Sequence, residues 1–271
     1  MAKLKCLGIL LCYNDADILE DAIVNLLKSN HDLIVWDHGS DDGTSELLDK
    51  YNKHFIERRF INRAFDFYNL YQEMSKHLIE NYINQYDWIS WPDQDEILEG
   101  PDRSKSYHDW LQMAHDNGTD YIQFNNFNFW FTEADDKNVI SPADRVRHYS
   151  LFADCAPRIR SWRASRTNIR IFNHNPLDGV QAPVNFNLRH YPMRTHEQMM
   201  KRVFKDRADV RREESNYHYE NMAHQIDKMI IKPDQLFYDD GVSELNHEVI
   251  FNWRTIYGYG PVTATKSSAG D

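Results

Sequence analysis

Short apolar runs alternate with amphipathic segments over the first hundred residues of this chain. The run Cys6–Cys12 is continuously apolar and is bounded by polar residues, as expected for a strand covered on both faces. Two further apolar runs predict strands at residues 33–36 and 88–91, and residues 55–60 are a candidate for another strand. Apolar residues recur with helical spacing between these runs, which predicts helices at residues 18–27, from residue 44 and at residues 66–85. This alternation predicts an α/β fold with a mostly parallel sheet flanked by helices.

Polar residues follow three of the predicted strands. Asn14 and Asp15 come after the first strand, where they offer a cap for the first helix. Asp37 ends the second strand, and Asp93 and Asp95 follow the fourth. Ligands of parallel α/β sheets collect outside the carboxyl ends of the strands. We therefore expect these three separate segments to meet in one crevice.

The second half of the chain has a different pattern. Thr195 followed by Gln198 predicts a capping box that opens a helix. The other predicted elements are a strand at residues 121–131, an irregular basic region at 143–165, a short strand at 168–172 and helices at 217–231 and 244–257. These last helices form a C-terminal helical extension, and residues 261–271 are predicted to be disordered.

The charge of the chain excludes one class of partner and leaves another open. A net charge of −11 argues against general nucleic-acid binding. Residues 145–212 nevertheless hold fifteen Lys and Arg against five Asp and Glu, a net +10 that leaves −21 for the remainder. This basic segment either faces a phosphorylated ligand or forms a solvated surface with scattered ion pairs.

Apolar length and cysteine content bear on the location of the protein. No apolar run reaches the roughly 18 residues that a membrane span needs, so we expect no transmembrane helix. The three cysteines are an odd number without metal-like spacing, which fits a reducing cytoplasm.

Two local sequences could carry chemistry. Asp93 and Asp95, two residues apart after a strand, provide the hard oxygen ligands that Mg²⁺ or Mn²⁺ prefers. Such a pair alone is more often a solvated turn. In residues 37–44, two glycines bracket a polar turn between a strand and a helix, where backbone amides and a carboxylate can meet a nucleoside. The same residues also form a favourable turn and helix N-cap in proteins of any function.

Three motifs together resemble glycosyltransferase family 2. In order along the chain they are Leu10-Leu-Cys-Tyr-Asn-Asp15, Asp37-His-Gly-Ser-Asp-Asp-Gly-Thr44 and Trp88-Ile-Ser-Trp-Pro-Asp-Gln-Asp-Glu-Ile-Leu98. A fourth piece, His190-Tyr-Pro-Met-Arg-Thr-His-Glu197, resembles a His-Tyr element before a helix in one branch of the family. The chain departs from the family pattern at Asp15, where Glu is usual, and at Trp91-Pro92, which leaves the base of the donor open.

The resemblance implies a GT-A fold and a nucleotide-sugar donor. Asp37 would contact the base of that donor. Asp15 would line the nucleoside pocket together with Tyr13 and Ser40. Asp93 would approach the ribose or hold a metal-bound water.

The resemblance also implies how the diphosphate is held. Asp95 would ligate Mn²⁺ or Mg²⁺ directly, and His190 would be a second protein ligand. Arg189, Arg194 and Lys201, which lie near His190 in the sequence, could supply positive charge where negative charge develops on the leaving diphosphate. From the residues alone, a structural histidine is the favoured interpretation of His190.

The implied reaction is the transfer of a hexose or N-acetylhexosamine from a nucleoside diphosphate sugar, with UDP favoured, to a hydroxyl with inversion. Asp178 is the first choice for the general base, and Glu133 and Glu197 remain open. A saccharide or glycolipid acceptor, a role in surface polysaccharide or glycolipid synthesis, and peripheral membrane contact rest wholly on the resemblance. The alternatives are a nucleotidyltransferase and a non-catalytic nucleotide- or sugar-binding module.

The predicted organisation is one GT-A domain with a C-terminal extension. Its nucleotide-sugar half spans residues 1–118 and its acceptor and metal half spans 119–215. Helices follow at 216–260 and a tail at 261–271.

Overall fold

The computed structural model describes residues 4–62, 67–152, 158–166, 179–206 and 231–250. The chain forms two compact units. The first comprises Met1–Asn125 and Ala156–Leu188, and the second comprises Asn126–Cys155 and Arg189–Asp271.

Strands and helices alternate along the chain much as predicted. The strands are β1 (Cys6–Cys12), β2 (His31–Asp37), β3 (Phe55–Phe60), β4 (Trp88–Ser90), β5 (Glu96–Glu99), β6 (Tyr121–Trp130), β7 (His148–Leu151), β8 (Arg158–Arg163), β9 (Phe186–Met193) and β10 (Phe237–Tyr238). The helices are α1 (Leu19–Lys28), α2 (Thr44–Tyr51), α3 (Phe67–Asn81), α4 (Tyr107–Asp116), α5 (Pro142–Arg145) and α6 (His196–Lys201).

The first unit is built on a parallel sheet with the strand order β3-β2-β1-β4. Cys12 at the end of β1 lies beside Asp37 at the end of β2, and Gly8 lies beside Ser90 at the end of β4. β2 therefore pairs with one side of β1, and β4, which comes later in the chain, pairs with the other side. The predicted α/β fold with a mostly parallel sheet is confirmed.

An antiparallel strand extends this sheet where the sequence predicted irregular structure. Residues 158–163 form β8, which runs antiparallel to β4 and to residues 121–124 of β6. The prediction of an irregular region at residues 143–165 was therefore wrong for β7 and β8. The error arose because β8 carries arginines where an apolar pattern was expected.

Helices cover both faces of the parallel sheet. On one face, a Cβ atom added to Gly8 would lie 2.7 Å from Leu33 and 3.1 Å from Leu26 of α1, so this helix approaches β1 closely. On the other face α3 completes the main core. Its buried side chains are shared between that helix and the strands: Leu7, Ile9, Leu11, Ile34, Trp36, Leu70, Met74, Leu78, Ile89, Trp91, Tyr121, Trp162 and Ala164.

The start of α1 differs from the prediction. Its N-cap is Ile18, which makes no side-chain cap, and the first amides are satisfied by the carbonyl of Asp15. The prediction that Asn14 or Asp15 caps this helix with its side chain was wrong. Both side chains are instead held by loops that follow other strands.

A chain of hydrogen bonds crosses the interior beneath the carboxyl end of β4. The His31 Nδ1 atom lies 3.0 Å from the carbonyl of Ser29, and Nε2 lies 2.9 Å from the hydroxyl of Ser90. Ser90 meets Ser161 at 2.9 Å, and Ser161 meets Tyr107 at 2.5 Å. With Nδ1 donating to the carbonyl, each hydroxyl can donate to the next group in one direction, from Tyr107 to His31.

The second unit has its own antiparallel strands and a small core. Residues 127–130 of β6 pair with β7, and β7 pairs with β10. Its core cluster consists of Trp130, Met193, Met199, Val203 and Ile231.

The N-cap of α6 agrees with half of the predicted capping box. The Thr195 hydroxyl accepts a hydrogen bond from the backbone amide of Gln198 at 3.0 Å. The Gln198 side chain, however, accepts from the backbone amide of Arg194 at 3.1 Å and not from that of Thr195. The Thr195 cap is thus confirmed.

The C-terminal part of the second unit corrects one helix prediction. Residues 244–250 have no regular secondary structure, so the helix predicted at 244–257 is wrong for this stretch. The backbone amide of Asn246 donates to the Tyr149 hydroxyl at 2.7 Å, and the Asn246 side chain accepts from the backbone amide of Glu248. These two hydrogen bonds hold a non-helical conformation. The elements predicted at 168–172 and 217–230, the rest of 244–257 and the tail 261–271 lie outside the described residues.

Candidate functional site

The order of the parallel strands in the first unit has a switch point at β1 and β4. β2 and β4 flank β1 on opposite sides, so the connections that follow β1 and β4 leave the sheet in different directions. In open α/β sheets this switch point opens a crevice at the carboxyl ends of the strands. Asp15 follows β1, and Asp93 and Asp95 follow β4, which puts predicted site residues at both sides of that crevice.

The loops after β1 and β2 are bound to each other. The Asn14 side chain donates to Asp41 at 2.8 Å and accepts the amide of Asp41 at 2.8 Å. The Asn14 amide donates to Ser40 at 3.1 Å, and the Ala16 amide donates to Asp42 at 3.1 Å. Asn14 has φ 53, a left-handed conformation that Asn tolerates better than most residues. Ser40 and Asp15 therefore lie in one connected loop pair.

Asp37 holds the turn that follows β2. It is buried, and its carboxylate accepts the amide of Ser40 at 2.9 Å and the hydroxyl of Ser45 at 2.6 Å. Tyr13, in the neighbouring loop, packs its ring edge-on against His38 with 6.1 Å between centroids. Asp37 thus stabilises the turn after β2, whereas the resemblance implies that it contacts the base of the donor.

A single hydrogen bond joins the loops after β1 and β4. The Gln94 side-chain amide donates to the Asp15 carboxylate at 2.5 Å, and both residues are buried. This contact spans the switch point of the sheet. The prediction that these segments come together is confirmed.

The Asp93 carboxylate is partly exposed and is bound on two sides. Its Oδ2 atom accepts from Arg160 at 2.8 Å, its Oδ1 atom accepts the Tyr71 hydroxyl at 3.3 Å, and 37% of its side chain remains exposed. Partial burial raises the pKa of Asp93, and the Arg160 guanidinium opposes that shift. Burial, together with the negative charge of Asp93, raises the pKa of Tyr71, so the hydroxyl stays a hydrogen-bond donor.

Glu96 and two arginines form a buried ionic group behind Asp93. Glu96 is fully buried; its Oε1 accepts from Arg158, and Arg160 reaches both of its oxygens at 2.5 and 2.7 Å. Burial alone would lower the pKa of Arg160, but the carboxylates of Asp93 and Glu96 raise it well above its usual value. Arg160 is therefore a permanent cation between these two acids.

Sequence analysis missed Tyr71, Arg158 and Arg160 as members of this group. Arg158 and Arg160 are two residues apart on β8, so their side chains lie on the same face of the strand. That spacing inside a basic segment was the available signal. It identified no partner, because Glu96 and Asp93 lie more than sixty residues away in the chain.

Asp95 is buried at 2% exposure directly after Gln94. In the described ranges, no group of three or more His, Cys, Asp or Glu side chains is arranged to hold a metal ion. A Mg²⁺ or Mn²⁺ ion that also binds substrate phosphates and water needs only one or two protein carboxylates. Asp93 and Asp95 fit that requirement in number and chemistry, although Arg160 already neutralises much of the charge of Asp93.

The other residues predicted to hold the diphosphate belong to the second unit. His190 is buried, and its Nδ1 atom lies 2.8 Å from the Asn128 side-chain oxygen, so Nδ1 carries the proton and Nε2 is the basic nitrogen. Arg194 is buried and donates to the Tyr191 carbonyl at 2.9 Å. Lys201 is the last residue of α6 and is half-buried.

The candidates for the general base have different outcomes. Asp178 lies outside the described residues. Glu133 and Glu197 are both exposed, and Glu197 occupies the first turn of α6, where a negative charge is favourable.

The basic segment at residues 145–212 is extensively ion-paired where the structure describes it. Besides the pairs of Arg158 and Arg160, Arg166 meets Asp120 at 2.5 Å, and Arg189 pairs with Asp239. Acidic side chains of the remainder therefore neutralise much of this positive charge, in line with the ion-pair alternative.

Comparison with known proteins gives weak similarities. No protein-family model matches the chain, and no curated protein sequence matches it. Among solved structures, S. aureus TarS residues 1–349 is 13% identical with a TM-score of 0.36, and its complex with UDP is 11% identical with a TM-score of 0.39. Both alignments cover 81% of this chain and 69% of the other. A197 from STIV is 10% identical, with a TM-score of 0.27 and coverage of 56% of this chain and 53% of the other. The residues of the chain itself carry the functional proposal.

Within the described ranges, every helix is too short or too polar to cross a bilayer.

Proposed function

We propose that this protein is a nucleotide-sugar glycosyltransferase of family 2, with its donor site at the carboxyl ends of β1, β2 and β4. The observation that carries the proposal is the 2.5 Å hydrogen bond between Gln94 and Asp15. It joins two of the three family-like motifs across the switch point of a parallel sheet, where ligands of such sheets bind. The third motif is tied to the same place through Asn14 and Asp41.

The nucleoside is bound by the paired loops after β1 and β2. The half-exposed ring of Tyr13 offers a surface for the base, and Ser40 offers a hydroxyl. Asp37 stabilises the turn at Ser40 through a hydrogen bond to its amide. By resemblance to the family, Asp37 also contacts the base. Asp15 lines the pocket from β1. UDP is the favoured carrier on the same resemblance.

Asp95 is the proposed ligand of Mn²⁺ or Mg²⁺. A divalent cation, when bound, neutralises the negative charge that develops on the departing diphosphate. Asp93 is held by Arg160 and Tyr71, so its exposed side is directed to the ribose or to a metal-bound water, while Asp95 contributes the direct oxygen. His190 as second ligand, and Arg194 and Lys201 as phosphate partners, remain proposals from the resemblance.

The acceptor is a saccharide or glycolipid hydroxyl, and the transferred group is a hexose or N-acetylhexosamine. Inversion requires a base to remove the proton of that hydroxyl. Asp178 is the proposed base, with Glu133 and Glu197 as the alternatives. A cytoplasmic enzyme of surface polysaccharide or glycolipid synthesis, with peripheral membrane contact, is the setting that the resemblance implies.

A non-catalytic nucleotide- or sugar-binding module is the second candidate. The ion pair between Asp93 and Arg160 favours it, because a fixed cation competes with a metal ion for that carboxylate. The third alternative, a nucleotidyltransferase, has less support, since the loop after β1 lacks the Gly-rich basic sequence that such enzymes use for phosphates.

A donor hydrolysis assay tests the proposal. The protein is incubated with a panel of nucleotide sugars and Mn²⁺, with and without saccharide acceptors, and nucleoside diphosphate release is measured. We expect slow release from a UDP-sugar that falls about 100-fold or more in Asp95→Asn, because the variant loses the stabilisation of the leaving group. Asp116→Asn, which changes an exposed carboxylate at the end of α4, should retain the wild-type rate.

Each alternative has its own outcome in this assay. Metal-enhanced UDP binding without turnover on any acceptor would favour the binding module. Pyrophosphate release from a nucleoside triphosphate would identify a nucleotidyltransferase. Release that is equal in wild type and Asp95→Asn would reject the proposed role of Asp95.

A further inference from the structure

Two asparagines of β6 are buried with amide atoms that lack hydrogen-bond partners. Asn126 is 4% exposed, and Asn128 is fully buried. In the part of the chain that the structure describes, neither side-chain polar atom of Asn126 has a partner, and neither does Nδ2 of Asn128. An unpaired buried amide destabilises the fold, because the hydrogen bonds it made with water in the unfolded chain are lost. The described contacts therefore give no reason for asparagine at position 126, and at position 128 they account only for the Oδ1 atom, which accepts from His190.

These amides share one face of the second unit with two other polar groups. Asn126 and Asn128 are two residues apart on a strand, so their side chains point to the same side. Ser150 lies opposite Asn128 in the register of β6 and β7, which puts its hydroxyl on that side as well. His190 reaches the same place, since its Nδ1 atom is 2.8 Å from the oxygen of Asn128.

The chemistry of this group matches neutral hydroxyls. Asn126 offers both a donor and an acceptor, and Asn128 offers its NH₂ group. The Ser150 hydroxyl accepts from the Trp130 Nε1 atom at 3.4 Å and keeps its own O–H as a donor. A sugar hydroxyl likewise donates and accepts. Residues two apart on a strand are separated by about 7 Å, a distance that hydroxyls on one ring can bridge. Neither an arginine nor a lysine belongs to the group, so it offers a phosphate no fixed counter-charge.

We propose that Asn126 and Asn128 bind the hydroxyls of a pyranose, with Ser150 and His190 beside them. The choice of a pyranose over other neutral hydroxyl compounds rests on the proposed transferase function. Because the amide atoms are themselves covered, the residues above them must move aside when the sugar binds. The pyranose is either the sugar of the donor or part of the acceptor, and both sources share this chemistry.

The first test separates a ligand-binding amide from a structural one. Asn126→Leu keeps the number of side-chain heavy atoms and removes both unpaired polar atoms. We expect its melting temperature without ligand to equal or exceed that of the wild type. The matched control is Asn125→Leu, whose amide accepts a hydrogen bond from Asn185 at 3.1 Å, and this variant should melt at a lower temperature. Asn126→Ala repeats the test with a smaller side chain.

The second test measures binding in the same variants. Methyl glycosides of glucose, galactose and N-acetylglucosamine probe an acceptor site, and UDP compared with UDP-glucose, UDP-galactose and UDP-N-acetylglucosamine probes the donor sugar. We expect Asn126→Leu to lower the affinity for one methyl glycoside by at least about tenfold, because a site built for hydroxyls loses its hydrogen-bond partners. For a donor-sugar site, the variant should instead lose a similar excess of affinity for a UDP-sugar over UDP. Affinity for UDP itself should be unchanged.

Several outcomes would overturn the inference. One is a lower melting temperature for both Asn126→Leu and Asn126→Ala, which would make the amide structural. Another is wild-type affinity of Asn126→Leu for every sugar probe. A third is a wild-type protein that binds none of the glycosides and binds every UDP-sugar no more tightly than UDP. UDP binding and Asp95-dependent release are measured separately, so failure here is distinguishable from failure of the proposed function.

Discussion

Glu96 is a fully buried acid that interacts with two cations, Arg158 and Arg160. Taking such charges out of water is costly, and their mutual attraction compensates only while all partners are present. Removing one partner leaves an uncompensated buried charge, which is the expensive state. Asp93 depends on the same arrangement, because Arg160 holds its carboxylate at 2.8 Å. Glu96 thereby positions a predicted site residue without being exposed itself.

Replacing Glu96 should therefore destabilise the protein strongly. We expect Glu96→Gln to lower the free energy of unfolding by about 3–5 kcal/mol, measured by urea denaturation. Asp49→Asn is the matched control, because Asp49 pairs with Arg58 at 2.5 Å but is 71% exposed. That variant should lose less than about 1 kcal/mol. Equal losses in the two variants would show that burial of Glu96 has no energetic consequence.

At the scale of elements, the hydrogen-bonded chain from Tyr107 to His31 connects α4, β8, β4 and the start of β2. His31 is completely buried and stacks on Tyr107 with 6.0 Å between ring centroids. Burial lowers the pKa of His31 to about 4, although its hydrogen bond to Ser29 acts in the opposite direction. The neutral ring is thus the form that holds these elements together.

This histidine should make stability depend on pH. Between the folded pKa of about 4 and the unfolded value of 6.5, the unfolded chain binds the proton more readily, so stability falls as the pH decreases through that range. We expect the wild type to lose about 3 kcal/mol more than His31→Gln between pH 6.5 and 4, measured by chemical denaturation. Tyr107→Phe should be less stable at pH 7 but should keep the wild-type slope. A wild-type slope in His31→Gln would refute the assignment.

At the scale of the whole molecule, the acidic and basic parts of the chain compensate each other. Arginines of the segment at residues 145–212 pair with Asp93, Glu96, Asp120 and Asp239. Five described arginines of this segment are in ion pairs: Arg158, Arg160, Arg163, Arg166 and Arg189. The proposed function assigns recognition of the anionic nucleotide to the donor-site loops, to a divalent cation and to Arg194 and Lys201.

Nucleotide binding should therefore stabilise the protein in a metal-dependent way. A ligand that binds only the folded state, at 100 times its Kd, adds about 2.7 kcal/mol to the free energy of unfolding. We expect UDP with Mn²⁺ to raise the melting temperature more than UDP with EDTA, and Asp95→Asn to abolish the difference. Asp116→Asn should behave like the wild type. The same shift with Mn²⁺ and with EDTA would argue against a metal-bridged diphosphate.

Local apolar patterns were sufficient to predict the parallel sheet and the meeting of polar loops at the carboxyl ends of its strands. Cys6–Cys12 and the runs that became β2 and β4 are short and apolar because these strands are buried on both faces or nearly so, whereas the side chains of the edge strand β3 are half-buried or exposed. Polar residues at the ends of these strands then fall together by topology alone. The hydrogen bonds of Asp15 with Gln94 and of Asn14 with Asp41 agree with that expectation.

Contacts between distant segments were beyond the reach of such patterns. Periodicity records that a position is buried, but not which remote residue covers it. β8 was missed because its arginines are polar. Arg160 is buried where Glu96 and Asp93, more than sixty residues away in the chain, neutralise its charge. For the same reason Asn14 and Asp15 looked like helix caps. Their side chains bond to other loops instead, and those contacts exist only after the strands have paired.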